Sequence, residues 1–184
     1  MDLGDAAFHQ GLQLEAAGHY GRAAVAARRL PAPDPRLAAS LTSEAAVERM
    51  EGRYARAAAL YQESANILLN VRGDAYPGSA AAFYNLAQVQ SLEGRSNEAG
   101  AAYRRVIELS LKAPQSSDET LAAWLATAGQ FFHAQGDYSE ALVCYRRALT
   151  LGEKVPGADE AALGALRDDI HSVLKAQGQD EAKP

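Results

Sequence analysis

The 184-residue chain predicts an all-α fold of stacked antiparallel helix pairs, and three observations carry that prediction. A short motif recurs as Gly18-His19-Tyr20-Gly21-Arg22-Ala23, Gly52-Arg53-Tyr54-Ala55-Arg56-Ala57, Gly94-Arg95-Ser96-Asn97-Glu98-Ala99 and Gly136-Asp137-Tyr138-Ser139-Glu140-Ala141, with a worn copy from Gly178. The first interval between these glycines is shorter, the next three are equal, and a fixed period of this size marks a repeat array. Apolar residues between the glycines recur at helical spacing, and no alternating run long enough for a strand occurs. Hydrophobic residues make up 48% of the chain, much of it alanine, the strongest helix former and small enough for helices to approach closely.

The elements follow from local chemistry. Residues 2–17 place Leu3, Ala7, Gly11 and Leu14 on one stripe, and Gly18 is expected to stop that helix, since glycine accepts a left-handed backbone at little cost. A second helix over about 20–30 ends at Pro31-Ala32-Pro33. Asp34 then offers an N-cap and Pro35 a first-turn proline for a helix over 35–51. Beyond Gly52, residues 54–71 carry Ala57, Leu60, Tyr61, Ser64 and Leu68 on one face. Asn70 to Ser79, with Gly73, Pro77 and Gly78, reads as a loop. Helices are expected over 79–93 (Phe83, Leu86, Ala87, Val89), 96–112 (Ala99, Tyr103, Val106, Leu109), 118–135 (Leu121, Leu125, Ala128, Gly129, Phe132) and 138–153 (Ala141, Leu142, Tyr145, Ala148, Leu149). Pro114 to Asp118 is a loop. After Val155-Pro156-Gly157, a last helix runs from about Asp159 to Gln177, followed by a polar tail over 179–184.

Composition narrows the function classes. A net charge of −5 argues against a general nucleic-acid or anionic-membrane binder. One cysteine, Cys144, excludes an internal disulfide, and cysteine–histidine zinc sites lack their ligands. Met1-Asp2-Leu3-Gly4-Asp5 has neither the basic start nor the apolar run of a signal peptide, and no apolar stretch approaches the roughly 20 residues of a membrane span. A cytoplasmic location is expected. Arginine in excess of lysine, with abundant alanine, fits a GC-rich bacterial genome.

The run Leu125-x-x-Ala128-Gly129-x-x-Phe132, Gly136-Asp137-Tyr138, Ala141-x-x-x-Tyr145-x-x-Ala148 resembles a tetratricopeptide repeat. Residues 83–106 repeat it through Phe83, Leu86, Ala87, Gly94, Ala99, Tyr103 and Val106, residues 41–64 through Leu41, Ala45, Gly52, Tyr54, Ala57 and Tyr61, and residues 11–27 through Gly11, Leu14, Gly18, Tyr20 and Ala23. The long repeat period, Asp74-Ala75-Tyr76-Pro77 and Ala82-Phe83-Tyr84-Asn85-Leu86-Ala87 are similar to the kinesin-light-chain type of the repeat. The resemblance implies one right-handed α-solenoid over 1–178 with about nine helices: pairs 2–30, 35–71, 79–112 and 118–153, capped by 159–177 with Arg167, Asp168, Asp169 and Lys175 on its polar side. Small residues at Ala23, Ala57, Ala99 and Ala141 would let helices touch, and Tyr61, Tyr103 and Tyr145 would fill the space between pairs. Glu44 and Glu48 fall where packing residues belong, and Ser96 replaces the turn tyrosine, which predicts local irregularity in the second repeat.

In such arrays the first helix of each pair lines a concave groove where a partner peptide or helix lies. The groove candidates are Phe8, His9 and Leu12; Thr42, Ser43 and Arg49; Tyr84, Asn85 and Gln88; Thr127, Gln130 and His133; and Asp168, Asp169 and Ser172 from the cap. Asn85 leads them, because a side-chain amide can satisfy both a donor and an acceptor of a peptide backbone. The lysines of a carboxylate clamp are missing, which disfavours a co-chaperone for Hsp70 or Hsp90 tails. Arg28-Arg29, Arg104-Arg105 and Arg146-Arg147 fall on the outer face as solvated charges, and Arg72-Gly73-Asp74 is loop chemistry. None of His9, His19, His133 and His171 has an i,i+4 histidine, and no nucleophile elbow or phosphate loop accompanies them. The expected function is a protein–protein interaction scaffold, with self-assembly through lateral or end-to-end contacts (Leu3, Phe8 and Leu12 outward) as the alternative. No cofactor, metal or enzymatic activity is expected.

Overall fold

A computed structural model of the chain describes residues 13–27, 34–73, 76–112 and 118–178. It is all-helical over these residues, with eight helices and no strand among them. They are α1 (Gln13–Ala27), α2 (Pro35–Met50), α3 (Tyr54–Arg72), α4 (Pro77–Leu92), α5 (Ser96–Lys112), α6 (Asp118–Gln135), α7 (Tyr138–Gly152) and α8 (Glu160–Ala176). The chain divides into two compact units, Met1–Ala113 and Pro114–Pro184.

Within the first unit each described helix packs against the next, from α1 through α5. The α2/α3 and α4/α5 pairs are folded back by one turn geometry used twice. Gly52 and Gly94 take φ of 75° and 79°, a left-handed conformation that a Cβ would disfavour. The following amide closes the helix end, Arg53 N–H donating to the Glu48 carbonyl and Arg95 N–H to the Gln90 carbonyl, both at 2.9 Å. Asp34 caps α2, its carboxylate accepting from the Arg36 amide at 2.8 Å and gripping the Arg36 guanidinium. That side-chain bond to Arg36 holds the Asp34 carboxyl below its usual range. The connection from α3 to α4 is tighter than expected: α3 reaches Arg72 and α4 starts at Pro77.

One expectation is overturned. Gly18 does not stop a helix, because α1 runs unbroken through Gly18 and Gly21. The glycine permits a left-handed residue but does not impose one. Tyr20 and Ala24, one helical turn apart, are both buried, and Ala24 packs with Leu37 and Leu41. Both residues follow Gly18, and their burial seats this part of α1 against α2. The rest of the expected first helix, and the Pro31-Ala32-Pro33 break, lie outside the described residues.

The second unit repeats the plan. Gly136 has φ 79°, and Asp137 N–H donates to the Phe132 carbonyl at 2.9 Å, so α6 and α7 form a third pair with the same turn. Gly157 (φ 74°) redirects the chain after α7, and Asp159 caps α8 by accepting from the Ala161 amide at 2.9 Å. The α7–α8 approach is close enough that a Cβ on Gly152 would stand 2.8 Å from a Leu163 methyl. Gly178, one full period beyond Gly136, again takes positive φ. Tyr61 and Tyr103 in the first unit and Tyr145 in the second are all buried.

The second repeat is regular helix throughout α2, contrary to the expected irregularity. Glu44 and Glu48 are nonetheless buried, Glu48 to 2% exposure. They survive there because Arg53 and Arg56, the turn arginines of the same repeat, reach back to them. Arg56 lies 3.1 Å from Glu44 and 3.2 Å from Glu48, and Arg53 pairs with Glu48 and Glu51. A buried carboxylate is tolerable only when paired in this way.

Candidate partner-binding site

The first helices of the pairs, α2, α4 and α6, carry most of the expected groove residues. In the first unit, Thr42 is half-buried and its hydroxyl donates to Ser64 (2.8 Å), which itself donates to the Ala38 carbonyl. Thr42 is therefore committed to the α2/α3 seam. Ser43 is half-buried and Arg49 exposed. Arg49 stands beside the Tyr61 hydroxyl and partly offsets the burial that raises that phenol.

On α4, Tyr84 sets its ring edge-on to Tyr103 at 6.4 Å, and its hydroxyl accepts from the Gln88 amide at 2.8 Å. This fixes the ring and its polar tip. Asn85, one position on, is half-buried, and its amide makes no hydrogen bond with the described residues. Phe8, His9 and Leu12 lie outside the described residues.

Sequence reasoning missed two residues of this unit. Met50 and Leu92 each stand two positions before a turn glycine, one repeat apart, and are 53% and 55% exposed. Their shared register was the available signal: two large apolar side chains at one exposed repeat position are more than scattered surface residues.

The first unit also holds a cleft of about 480 Å³ between α1 and the α2/α3 pair, lined by Arg22, Val25, Glu44, Glu48, Arg53 and Arg56. Its acids and bases face each other, which makes it a structural ion-pair wall.

In the second unit, Thr127 donates back to the Ala123 carbonyl at 3.0 Å, a bond within its own helix. Gln130 is exposed. His133 meets Tyr138 edge-on at 5.8 Å and lies close enough to Asp169 for their charges to interact. Burial raises the Asp169 carboxyl, and the neighbouring Asp168 adds to the rise while His133 opposes it. Asp168 and Ser172 are exposed. Gln130 and Asp169 come together at a cleft of about 570 Å³ between α6, the α7–α8 connection and α8. Cys144 is buried, and burial pushes its thiol up to about 12. No group of three or more histidine, cysteine or carboxylate side chains among the described residues is placed to hold a metal ion.

Tetratricopeptide repeat family models match residues 36–112 and 125–158, together more than half of the chain. The chain is a tetratricopeptide-repeat protein. No curated protein sequence matches it. Among solved structures it is similar to BtubC (BKLC) from P. vanneervenii, with TM-score 0.77 and 22% identity over 97% of this chain and 72% of that one. A Podosopora anserina protein of kinesin-light-chain type with nearly identical TPR-like repeats gives 0.74 and 20%, over 96% and 84%. MamA gives 0.66 and 17%, over 98% and 88%. At these identities the likeness is one of fold. The repeat family supports a general protein-interaction or scaffold role for this tetratricopeptide-repeat protein. Among the described residues no helix is long and apolar enough to cross a membrane.

Proposed function

We propose that the protein is a non-enzymatic interaction scaffold that binds a peptide segment or helix of a partner protein on the face presented by the first helix of each repeat. The observation that carries this reading is the composition of that face in the first unit. Leu92 and Met50 offer apolar anchors, Tyr84 is an aromatic held by Tyr103 and Gln88, and the Asn85 amide is uncommitted among the described residues. Apolar and aromatic anchors beside amide hydrogen bonding suit recognition of an extended or helical peptide. Helices already locked by packing would bind without ordering themselves first, which spares that cost of association. Leu3, Phe8 and Leu12, which would carry end-to-end self-assembly, lie outside the described residues, so no observation favours that alternative.

The test is to recover the partner by crosslinking and mass spectrometry from the native cell, then titrate it against the purified chain. Tyr84→Ala with Asn85→Ala is expected to weaken binding by at least about tenfold, or 1.4 kcal/mol, with helicity unchanged. Unchanged affinity in a fully helical variant sinks the assignment of this face.

A further inference from the structure

The cleft of the second unit differs from the first-unit face in its chemistry. Its apolar lining is aliphatic and largely alanine, with Ala122 and Ala126 from α6 and Ala162 from α8 beside Leu163 and Leu166. Short side chains are what leave the room, and about 570 Å³ lies within the roughly 300–1,000 Å³ range of pockets that enclose a ligand. Its polar lining among the described residues is Gln130 and three carboxylates, Glu119, Asp159 and Asp169, with no lysine, arginine or histidine among them. Arg167 of α8 is held elsewhere by Glu153 at 3.0 Å. Carboxylates around an apolar concavity focus a negative field into it.

We propose that this cleft recognises a basic segment of a partner protein, one that inserts an aliphatic side chain while flanking lysines or arginines meet Glu119, Asp159 and Asp169. The proposal rests on the reading that partners bind the first-helix face, since Gln130 of α6 belongs to it. Charge complementarity selects the occupant. An acidic segment would be repelled, nucleic acid likewise, and a second copy of a chain carrying net charge −5 is a poor match. Asp169 is half-exposed and makes no hydrogen bond to a cation among the described residues. His133 lies near enough for their charges to interact but does not line the cleft, so an incoming ammonium or guanidinium group still has a carboxylate to meet.

The experiment uses the whole chain and three fluorescein-labelled peptides of equal length: alternating leucine and lysine, leucine and glutamate, and serine and lysine. By anisotropy the leucine–lysine peptide should bind saturably, and the other two at least about tenfold more weakly. Glu119→Gln with Asp169→Asn, and separately Ala162→Phe to fill the cleft, should each weaken the leucine–lysine peptide by about fivefold or more, whereas Glu108→Gln on α5 should not. Equal binding of the leucine–glutamate peptide overturns the proposal. So does unchanged affinity in the carboxylate variant, which removes charge without adding bulk and remains decisive if Ala162→Phe perturbs the helices. Loss of the native partner in the Tyr84→Ala/Asn85→Ala variant, with the cleft variants unaffected, would sink the basic-segment proposal and leave the scaffold reading standing.

Discussion

Tyr145 lies so close over Gly129 that a Cβ at position 129 would stand 2.7 Å from the ring. A glycine inside a helix ordinarily destabilises it by about 1 kcal/mol relative to alanine. Here the contact reverses the preference. Gly129→Ala should destabilise the protein by about 1–3 kcal/mol, the range for overpacking a closed core. Tyr145→Ala should cost about 3–5 kcal/mol, as deletion of a large buried aromatic does. In urea unfolding the double variant should lose less than the sum, because the ring that alanine would strike is gone.

Glu48, Gln90 and Phe132 occupy the same position in three successive repeats, and all three are buried. Only the last of these repeats fills it with an aromatic. Glu48→Leu should be neutral or stabilising, since Arg53 and Arg56 can turn to solvent once the carboxylate is gone. Removing both arginines instead strands two buried carboxylates and should destabilise by about 3–5 kcal/mol. The Gln90 side-chain oxygen is buried without a hydrogen bond to the described residues, so Gln90→Leu should stabilise by about 1 kcal/mol. Chemical denaturation of the three variants checks the order, and a destabilised Glu48→Leu contradicts it.

Met50→Ser and Leu92→Ser should each weaken a bound partner by about 1–2 kcal/mol. Because both side chains are more than half exposed, thermal stability should stay within about 0.5 kcal/mol of the parent. A variant that melts early while binding normally would show that these residues serve packing.

The Cys144 thiol, raised chiefly by burial and further by Glu140, should resist alkylation in the native protein at about pH 8 and react fully in denaturant. Timed labelling with mass spectrometry checks this. Rapid native labelling would mean that α7 opens readily.

Burial raises the Asp169 carboxyl above its ordinary range, so the folded protein takes up that proton first as pH falls. Ionised Asp169 therefore lowers stability at neutral pH, and the penalty is relieved as pH drops through its folded value. Asp169→Asn should be the more stable protein near neutrality, with an advantage that shrinks towards the carboxylate range. Melting temperatures across that window test the sign. An advantage that grows in acid would refute it.

Much of the fold was legible because its signals are local. Gly52, Gly94 and Gly136 announced their turns, Asp34 its cap, and Tyr61, Tyr103 and Tyr145 their burial. The proposed binding face rests on register alone. Counting from the turn glycines reached Tyr84, Asn85 and Gln130, passed over Met50 and Leu92, and could not tell that Thr42 is spent on Ser64.

The sequence by itself therefore determined the repeat period, the helix pairs and their turns, since each depends on residues within a few positions of one another. Only the tertiary structure decided that helix continues through Gly18, that Arg53 and Arg56 neutralise Glu44 and Glu48, and that Glu119, Asp159 and Asp169 gather around one alanine-lined cleft. The physical reason is that burial and electrostatic pairing are set by residues far apart in the chain. A glycine permits a turn without imposing one, and Gly18 and Gly21 both stay within α1.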